Sequence, residues 1–179
     1  MALWGITDAD EAKPKWLTSA EKADVYATDR GWVKLNGKGL EEVICAIGGL
    51  STSVAGADIN TSAFVGSAFD VSAGGNVDVR LTFNEKVTVT GSPTIVITNG
   101  QEGSGSAATK TATYQSGSGT NKLVFRCTIG AAGSTVSADD VLSIASQNIA
   151  LAGGTIKDTG TTVNSGVAVP AGTATLTAV

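Results

Sequence analysis

The sequence contains no histidine. Histidine is the only side chain whose unperturbed pKa lies near neutrality, and neither a Ser-His-Asp triad nor a Cys-His pair can form without it. Two carboxylates acting together would be an alternative, but the only adjacent acidic pairs are Glu41-Glu42 and Asp139-Asp140. Neighbouring side chains on a strand point to opposite faces. We therefore predict no catalytic residue, no cofactor and no enzymatic activity.

The glycine-rich segments lack the features of a phosphate-binding loop. Residues 103–106 and 117–119 do not end in the Lys-Ser/Thr pair of a Walker motif, and no helical pattern follows either of them. Both segments are predicted to be turns between strands.

Cysteine and charge are scarce as well. Cys45 and Cys127 are the only cysteines, and residues 1–5 lack the basic and apolar regions of a secretory signal, so we expect two free, buried thiols. Charged residues make up 16% of the chain and the net charge is −4, without the clustered Lys and Arg that nucleic-acid binding needs. No stretch approaches the roughly 20 apolar residues of a membrane span. The sequence predicts a soluble, unexported polypeptide with neither nucleic acid nor membrane as a partner.

The composition changes along the chain. Trp4, Trp16 and Trp32 all lie in the first 32 residues, whereas the remainder is rich in Gly, Ser, Thr and Val and contains no Trp. Such a mixture favours short strands and turns. We predict an N-terminal arm and β-hairpin over residues 1–50, a linker or short strands over 51–73, and a β-sandwich over 74–179.

The first module shows two patterns. Residues 1–30 have neither a helical nor a strand period, and Pro14 interrupts any helix that begins near residue 8, which indicates an extended arm. Residues 31–47 contain two β-rich runs separated by Asn36-Gly37, which is typical of a hairpin. A lone hairpin is marginal in water, so this one must pack on something.

The second module alternates apolar and polar residues from Val77 to Asn84, as expected of a half-buried strand. Further strand patterns occur at 87–89, 94–98, 109–114, 122–129, 141–144, 148–151, 155–157 and 173–177. Cys127 falls on the apolar face of its strand. Many short strands with a turn every ten or so residues predict an all-β, immunoglobulin-like β-sandwich.

Residues 74–179 resemble a family. The segments GNVDVRLTFNEKVTVTGSPT (75–94), TYQSGSGTNKLVF (113–125), LSI (142–144) and LAGGTIKD (151–158) are similar to the bacterial Ig-like repeats of large surface proteins. The chain departs from them at Cys127, where an aromatic is usual, and at 131–134, where an acidic Gly-Asp feature often stands. These departures weaken the transfer of a calcium site to Asp139, Asp140 or Asp158. Their binding of calcium is left open, and no metal ligand is assigned.

The N-terminal segment carries a second resemblance. LWG (3–5), EAKPKWL (11–17) and DVYATDRGWV (24–33) are similar to the start of virion structural proteins of tailed bacteriophages, especially those of marine cyanobacteria. The resemblance implies a non-enzymatic capsid decoration, or cement, protein that is made in the host cytoplasm. It would dock on the major capsid protein, or on other virion proteins, through its N-terminal segment and display the Ig-like domain on the capsid exterior.

Five residues are candidates for the partner interface: Trp4, Trp16, Tyr26, Arg30 and Trp32. Trp and Arg are enriched among interface anchors, and an exposed Trp presents a large apolar face to water. The alternative is that these side chains form a small local core on the hairpin. Edge strands of the sandwich can also pair between copies, giving self-association.

Two other functions compete with capsid decoration. The first is a tail-, neck- or fibre-associated Ig-like module that binds host cell-surface glycans weakly, although fold alone does not establish function. The second is a fragment of a bacterial surface adhesin, which would explain the sandwich but not the arm. Sequence alone leaves the position on the virion and the oligomeric state undetermined.

Overall fold

The structure, a computed structural model, describes residues 13–28, 30–47, 56–100, 109–131, 136–160 and 162–179. Regular structure in these ranges consists of one short helix and fourteen strands. In chain order they are α1 Ser19–Asp24, β1 Val25–Thr28, β2 Gly31–Leu35, β3 Glu41–Ala46, β4 Ile59–Phe64, β5 Ala68–Phe69, β6 Gly75–Thr90, β7 Thr94–Gly100, β8 Thr109–Ser116, β9 Thr120–Ile129, β10 Val141–Ser143, β11 Gln147–Asn148, β12 Thr155–Asp158, β13 Ala168–Val169 and β14 Leu176–Ala178.

The predicted hairpin is confirmed. Strands β2 and β3 pair antiparallel with a bulge next to Trp32 and Val33, and the side chain of Asn36 accepts hydrogen bonds from the backbone N–H groups of Lys38 and Leu40 in the connecting turn. Strand β1 adds to the free edge of β2 and completes a three-stranded antiparallel sheet. We call the described residues of 13–47, which contain α1 and this sheet, the N-terminal module.

Residues 19–28, predicted as part of an extended arm, instead form α1 and β1. The reason for the helix is local: the Thr18 hydroxyl accepts from the backbone N–H of Glu21, and the Glu21 carboxylate accepts from the backbone N–H of Thr18. This capping box satisfies two amides that a helix start leaves unpaired. The hydrogen bonds from Thr18 lower the pKa of Glu21. Residues 1–12 of the predicted arm lie outside the described residues.

The remaining strands form an all-β, immunoglobulin-like fold, a curled sandwich built mainly on one nine-stranded sheet. Its order is β12-β6-β9-β8-β7-β10-β14-β5, with β4 paired to β6, while β11 and β13 form a separate pair. Among the described strand pairs, β14 and β5 alone run parallel. The sheet takes in β4 and β5, which lie in the segment 51–73, so the strands of the sandwich begin at Ile59.

Strand β6 is the central strand of the sandwich and has 16 residues. It pairs with β4 and β9 along its first half, and with β12 along its last four residues. Alternate side chains of β6 and β9, including Leu81, Phe83, Leu123 and Phe125, are fully buried in one apolar core. Cys127 belongs to this core, as predicted, and burial raises the pKa of its thiol.

Both cysteines are free thiols, as expected from the sequence. Cys45, however, is only half-buried, because it lies on β3 at the outer edge of the three-stranded sheet. The expectation of two buried thiols therefore holds for Cys127 alone.

Candidate functional site

The five predicted interface residues lie in different environments. Trp4 falls outside the described residues. Trp16 is 62% exposed, whereas Tyr26 and Trp32 are completely buried. Arg30 lies at the surface in an ion pair with Glu41. The structure therefore separates an exposed candidate, Trp16, from side chains that hold the module together.

Trp32 forms a small core of its own. It packs with Val25 and Ala27 on one face of the three-stranded sheet, and a rim of half-buried apolar side chains closes around them. The ammonium of Lys13 lies 6.0 Å from the centroid of the Trp32 ring and donates a 2.7 Å hydrogen bond to the Lys22 carbonyl. For Trp32 the local-core alternative is the one that the structure supports.

The opposite face of this sheet meets the sandwich. The buried hydroxyl of Tyr26 donates a 2.9 Å hydrogen bond to Glu41, and Glu41 forms ion pairs with Arg30 and Lys86. The Lys86 ammonium also lies 5.7 Å from the centroid of the Tyr26 ring. Because Lys86 belongs to β6, this cluster joins the N-terminal module to the central strand of the sandwich.

The contacts in this cluster change the pKa values of Tyr26 and Glu41. Burial, followed by the hydrogen bond to Glu41, raises the pKa of Tyr26, so its hydroxyl stays a donor at every ordinary pH. Burial alone would raise the pKa of Glu41, but hydrogen bonds from Lys86 and Tyr26 outweigh it and lower that pKa. Glu41 is therefore an anion at neutral pH, which the two cations require.

A second contact joins α1 to the sandwich. The Lys122 ammonium, on β9, lies 2.9 Å from the carboxylate of Asp24 at the end of α1. Beside this ion pair, a groove of about 430 Å³ separates the helix from the outer face of the sheet. Its lining consists of small or hydroxyl-bearing side chains, one aspartate and one arginine: Ser19, Ala20, Ala23, Asp24, Thr61, Ala63, Arg80, Thr82 and Thr173.

Arg80 differs from the neighbouring cations of β6 and β9. Arg126 makes two 2.7 Å hydrogen bonds to Asp78, and Lys86 and Lys122 have the acidic partners given above. Within the described ranges Arg80 forms no ion pair. The groove therefore presents one guanidinium whose charge no described carboxylate neutralises.

Exposed large apolar side chains are concentrated in the N-terminal module. Trp16, Leu40 and Val43 are 62%, 63% and 42% exposed. The exposed apolar side chains of the described sandwich are valines only: Val65, Val96, Val163 and Val179. Trp is enriched among the residues that contribute most to protein–protein binding, which makes Trp16 the strongest interface candidate in the described part of the chain.

The acidic residues considered for calcium do not lie together in one loop. Asp139 is exposed with a φ of 70°, whereas Asp140 is buried and accepts hydrogen bonds from Asn99 and from the backbone N–H of Ser137. Asp158 is buried at the end of β12. Where the chain is described, no three His, Cys, Asp or Glu residues are grouped so that they could hold a metal ion.

Sequence reasoning missed the partners that dock the N-terminal module. Nothing in the sequence positions of Lys86 and Lys122 points to Glu41 and Asp24 as their partners. The capping box was readable as Thr18-Ser19-Ala20-Glu21, the pattern of a helix start. The contact of Tyr26 with β6 depends on the tertiary structure and could not be predicted from the sequence.

No helix in the described ranges is long and apolar enough to cross a membrane. Comparison of the chain with protein-family models, with curated proteins and with solved structures finds no match.

Proposed function

We propose that this chain is a non-enzymatic structural protein of a tailed-phage virion that decorates the capsid exterior. Its N-terminal module docks on the major capsid protein and its Ig-like sandwich projects outward. The resemblance of residues 3–33 to virion structural proteins supports the assembly role. The single observation that carries the docking surface is the exposure of Trp16 in a module whose other described tryptophan is fully buried.

The docking of the module on the sandwich also supports this function. A projecting domain on a loose tether would transmit little force, whereas the Tyr26–Glu41–Lys86 cluster and the Asp24–Lys122 pair fix the module to β6 and β9. Decoration proteins of the proposed kind act mechanically through buried interface, so a rigid link between the shell contact and the displayed domain is an advantage.

Replacing Trp16 with serine is expected to weaken shell binding at least tenfold while leaving the fold intact. Trp anchors at interface centres commonly contribute about 2 kcal/mol or more, and substitution of an exposed side chain changes stability by about 0.5 kcal/mol or less. Binding is measured by co-sedimentation of the full chain with shells assembled from the major capsid protein.

Val163→Ser is the matched control, because Val163 is an exposed apolar side chain of the sandwich. It is expected to bind shells like the parent chain. Equal binding by Trp16→Ser and by the parent chain would show that the shell contact does not use this surface.

The glycan-binding alternative has no structural observation in its favour. Sugar sites rely on exposed aromatic rings, but Phe64, Phe69, Phe83 and Phe125 are buried. Tyr114 is half-buried and packs edge-on against Phe125, with 6.0 Å between the ring centroids. The described sandwich thus offers no exposed aromatic face for stacking.

A further inference from the structure

One end of the sandwich core contains polar side chains where apolar ones would be expected. Glu85, Asn121, Asp158 and Ser165 are 2%, 0%, 3% and 7% exposed. Glu85 follows Phe83 on the buried face of β6, Asn121 precedes Leu123 on the buried face of β9, and Asp158 follows Ile156 on that of β12. These four residues are called the Glu85 cluster below.

Strand register brings the cluster to one place. Asn121 lies between Thr120, which pairs with Val87, and Lys122, which pairs with Thr82, so it faces the irregular stretch of β6 that contains Glu85. Asp158 pairs with Val87 on the other side of β6. Ser165 lies beside β12, because its backbone N–H donates a hydrogen bond to the carbonyl of Ile156, two residues before Asp158.

Three oxygens of the cluster have no hydrogen-bond partner among the described residues: Glu85 Oε1, Asn121 Oδ1 and Ser165 Oγ. The Asn121 side-chain nitrogen donates to the Phe83 carbonyl at 3.3 Å, which fixes the amide orientation and leaves Oδ1 free. Buried polar atoms are almost always satisfied in native proteins. Three such oxygens at one end of one core indicate a place where a polar or charged ligand can bind.

A cation would compensate the charge of the buried carboxylates in this cluster. A carboxylate removed from water without compensation costs several kcal/mol. The lysines next to the cluster in sequence, Lys86 and Lys122, point to the opposite face of the sheet and pair with Glu41 and Asp24. Glu85 forms no ion pair within the described part of the chain.

We propose that the Glu85 cluster binds a calcium ion. Its donors are all oxygens, from two carboxylates, one amide and one hydroxyl, and calcium accepts such mixed sets together with backbone carbonyls in flexible geometry. Magnesium demands near-octahedral geometry and retains several waters, which fits a core position poorly. The ion joins β6, β9 and β12 at the point where β6 passes from one set of partners to the other.

The test compares full-length protein after chelator treatment with the same protein given calcium at about a hundredfold excess over its dissociation constant. Calcium is expected to raise the melting temperature by about 5–10 °C, and magnesium at the same concentration to have a much smaller effect. Isothermal titration should show one saturable calcium site per chain. No calcium heat and no shift, or an equal response to magnesium, would overturn the proposal.

Two variants and one control assign the response to the cluster. Glu85→Gln is expected to abolish the calcium-dependent shift. Asn121→Asp adds a third carboxylate, so it is expected to destabilise the calcium-free protein and to keep or enlarge the calcium response, a result that stays informative if Glu85→Gln does not fold. Asp139→Asn, at an exposed position outside the cluster, should respond like the parent chain. A full calcium response in Glu85→Gln would contradict the site.

Discussion

Replacing Trp32 with alanine is expected to unfold the N-terminal module while the sandwich stays folded. Trp32 is fully buried, and among the described residues its cluster contains two other buried side chains, those of Val25 and Ala27. Removing a buried Trp side chain costs about 3–5 kcal/mol, which is comparable to what so small a core can supply. The main core around β6 and β9 is a separate cluster and loses none of its members.

Limited proteolysis followed by mass spectrometry distinguishes the two parts. In the Trp32→Ala protein, cleavage within residues 13–47 should become fast, for example after Lys34, and the fragment that contains the sandwich should persist. Val43→Ala is the control, since Val43 is 42% exposed on β3 of the same sheet. Unchanged protection of residues 13–47 in Trp32→Ala would contradict a core centred on Trp32.

Replacing Glu41 with alanine is expected to release the N-terminal module from the sandwich and to cost about 2–3 kcal/mol of unfolding free energy. The substitution leaves the buried hydroxyl of Tyr26 without its acceptor and leaves the cations of Arg30 and Lys86 close together without their shared anion. Denaturant unfolding measures the loss. Glu42→Ala is the matched control, because Glu42 is exposed and lies 4.0 Å from Lys34, a contact that contributes little.

The same carboxylate gives the docking a pH dependence. The pKa of Glu41 in the folded protein is lower than its ordinary value of 4.5. Its stabilisation is therefore complete above about pH 4.5 and is lost as pH falls through the folded-state pKa. Glu41→Gln, which can still accept from Tyr26, should lose less stability than the parent chain between neutral pH and that acidic range. An equal acid-induced loss in both proteins would place the pH sensitivity elsewhere.

The strand pattern of the sandwich was predictable because each strand has one buried face, and burial imposes the alternation read from Val77 to Asn84. The hairpin at residues 31–47 was predictable for another reason, since Asn36-Gly37 specifies its turn locally. Short elements were harder to predict from the sequence, since α1 has only six residues and β5 only two. Their positions depend on partners far away in the sequence, such as β14 for β5.

The candidate site was predictable only in part. The tryptophans and Arg30 identified the module that carries the exposed apolar surface, but composition cannot separate a Trp that anchors a partner from one that fills a core. Trp16 and Trp32 differ in burial. Trp32 lies on β2 and packs with Val25 and Ala27, whereas Trp16 lies before α1. The Glu85 cluster could not be predicted from the sequence either, because the pairing of β6, β9 and β12 is what brings its residues together.

The copy number of this chain in purified virions tests the proposed location most directly. Quantitative mass spectrometry against the major capsid protein gives the ratio of the two chains. A decoration protein of the shell should be present at on the order of hundreds of copies per particle, since it follows the repeated symmetry of the shell. A copy number of about six or twelve would place the chain at the neck or tail and contradict capsid decoration.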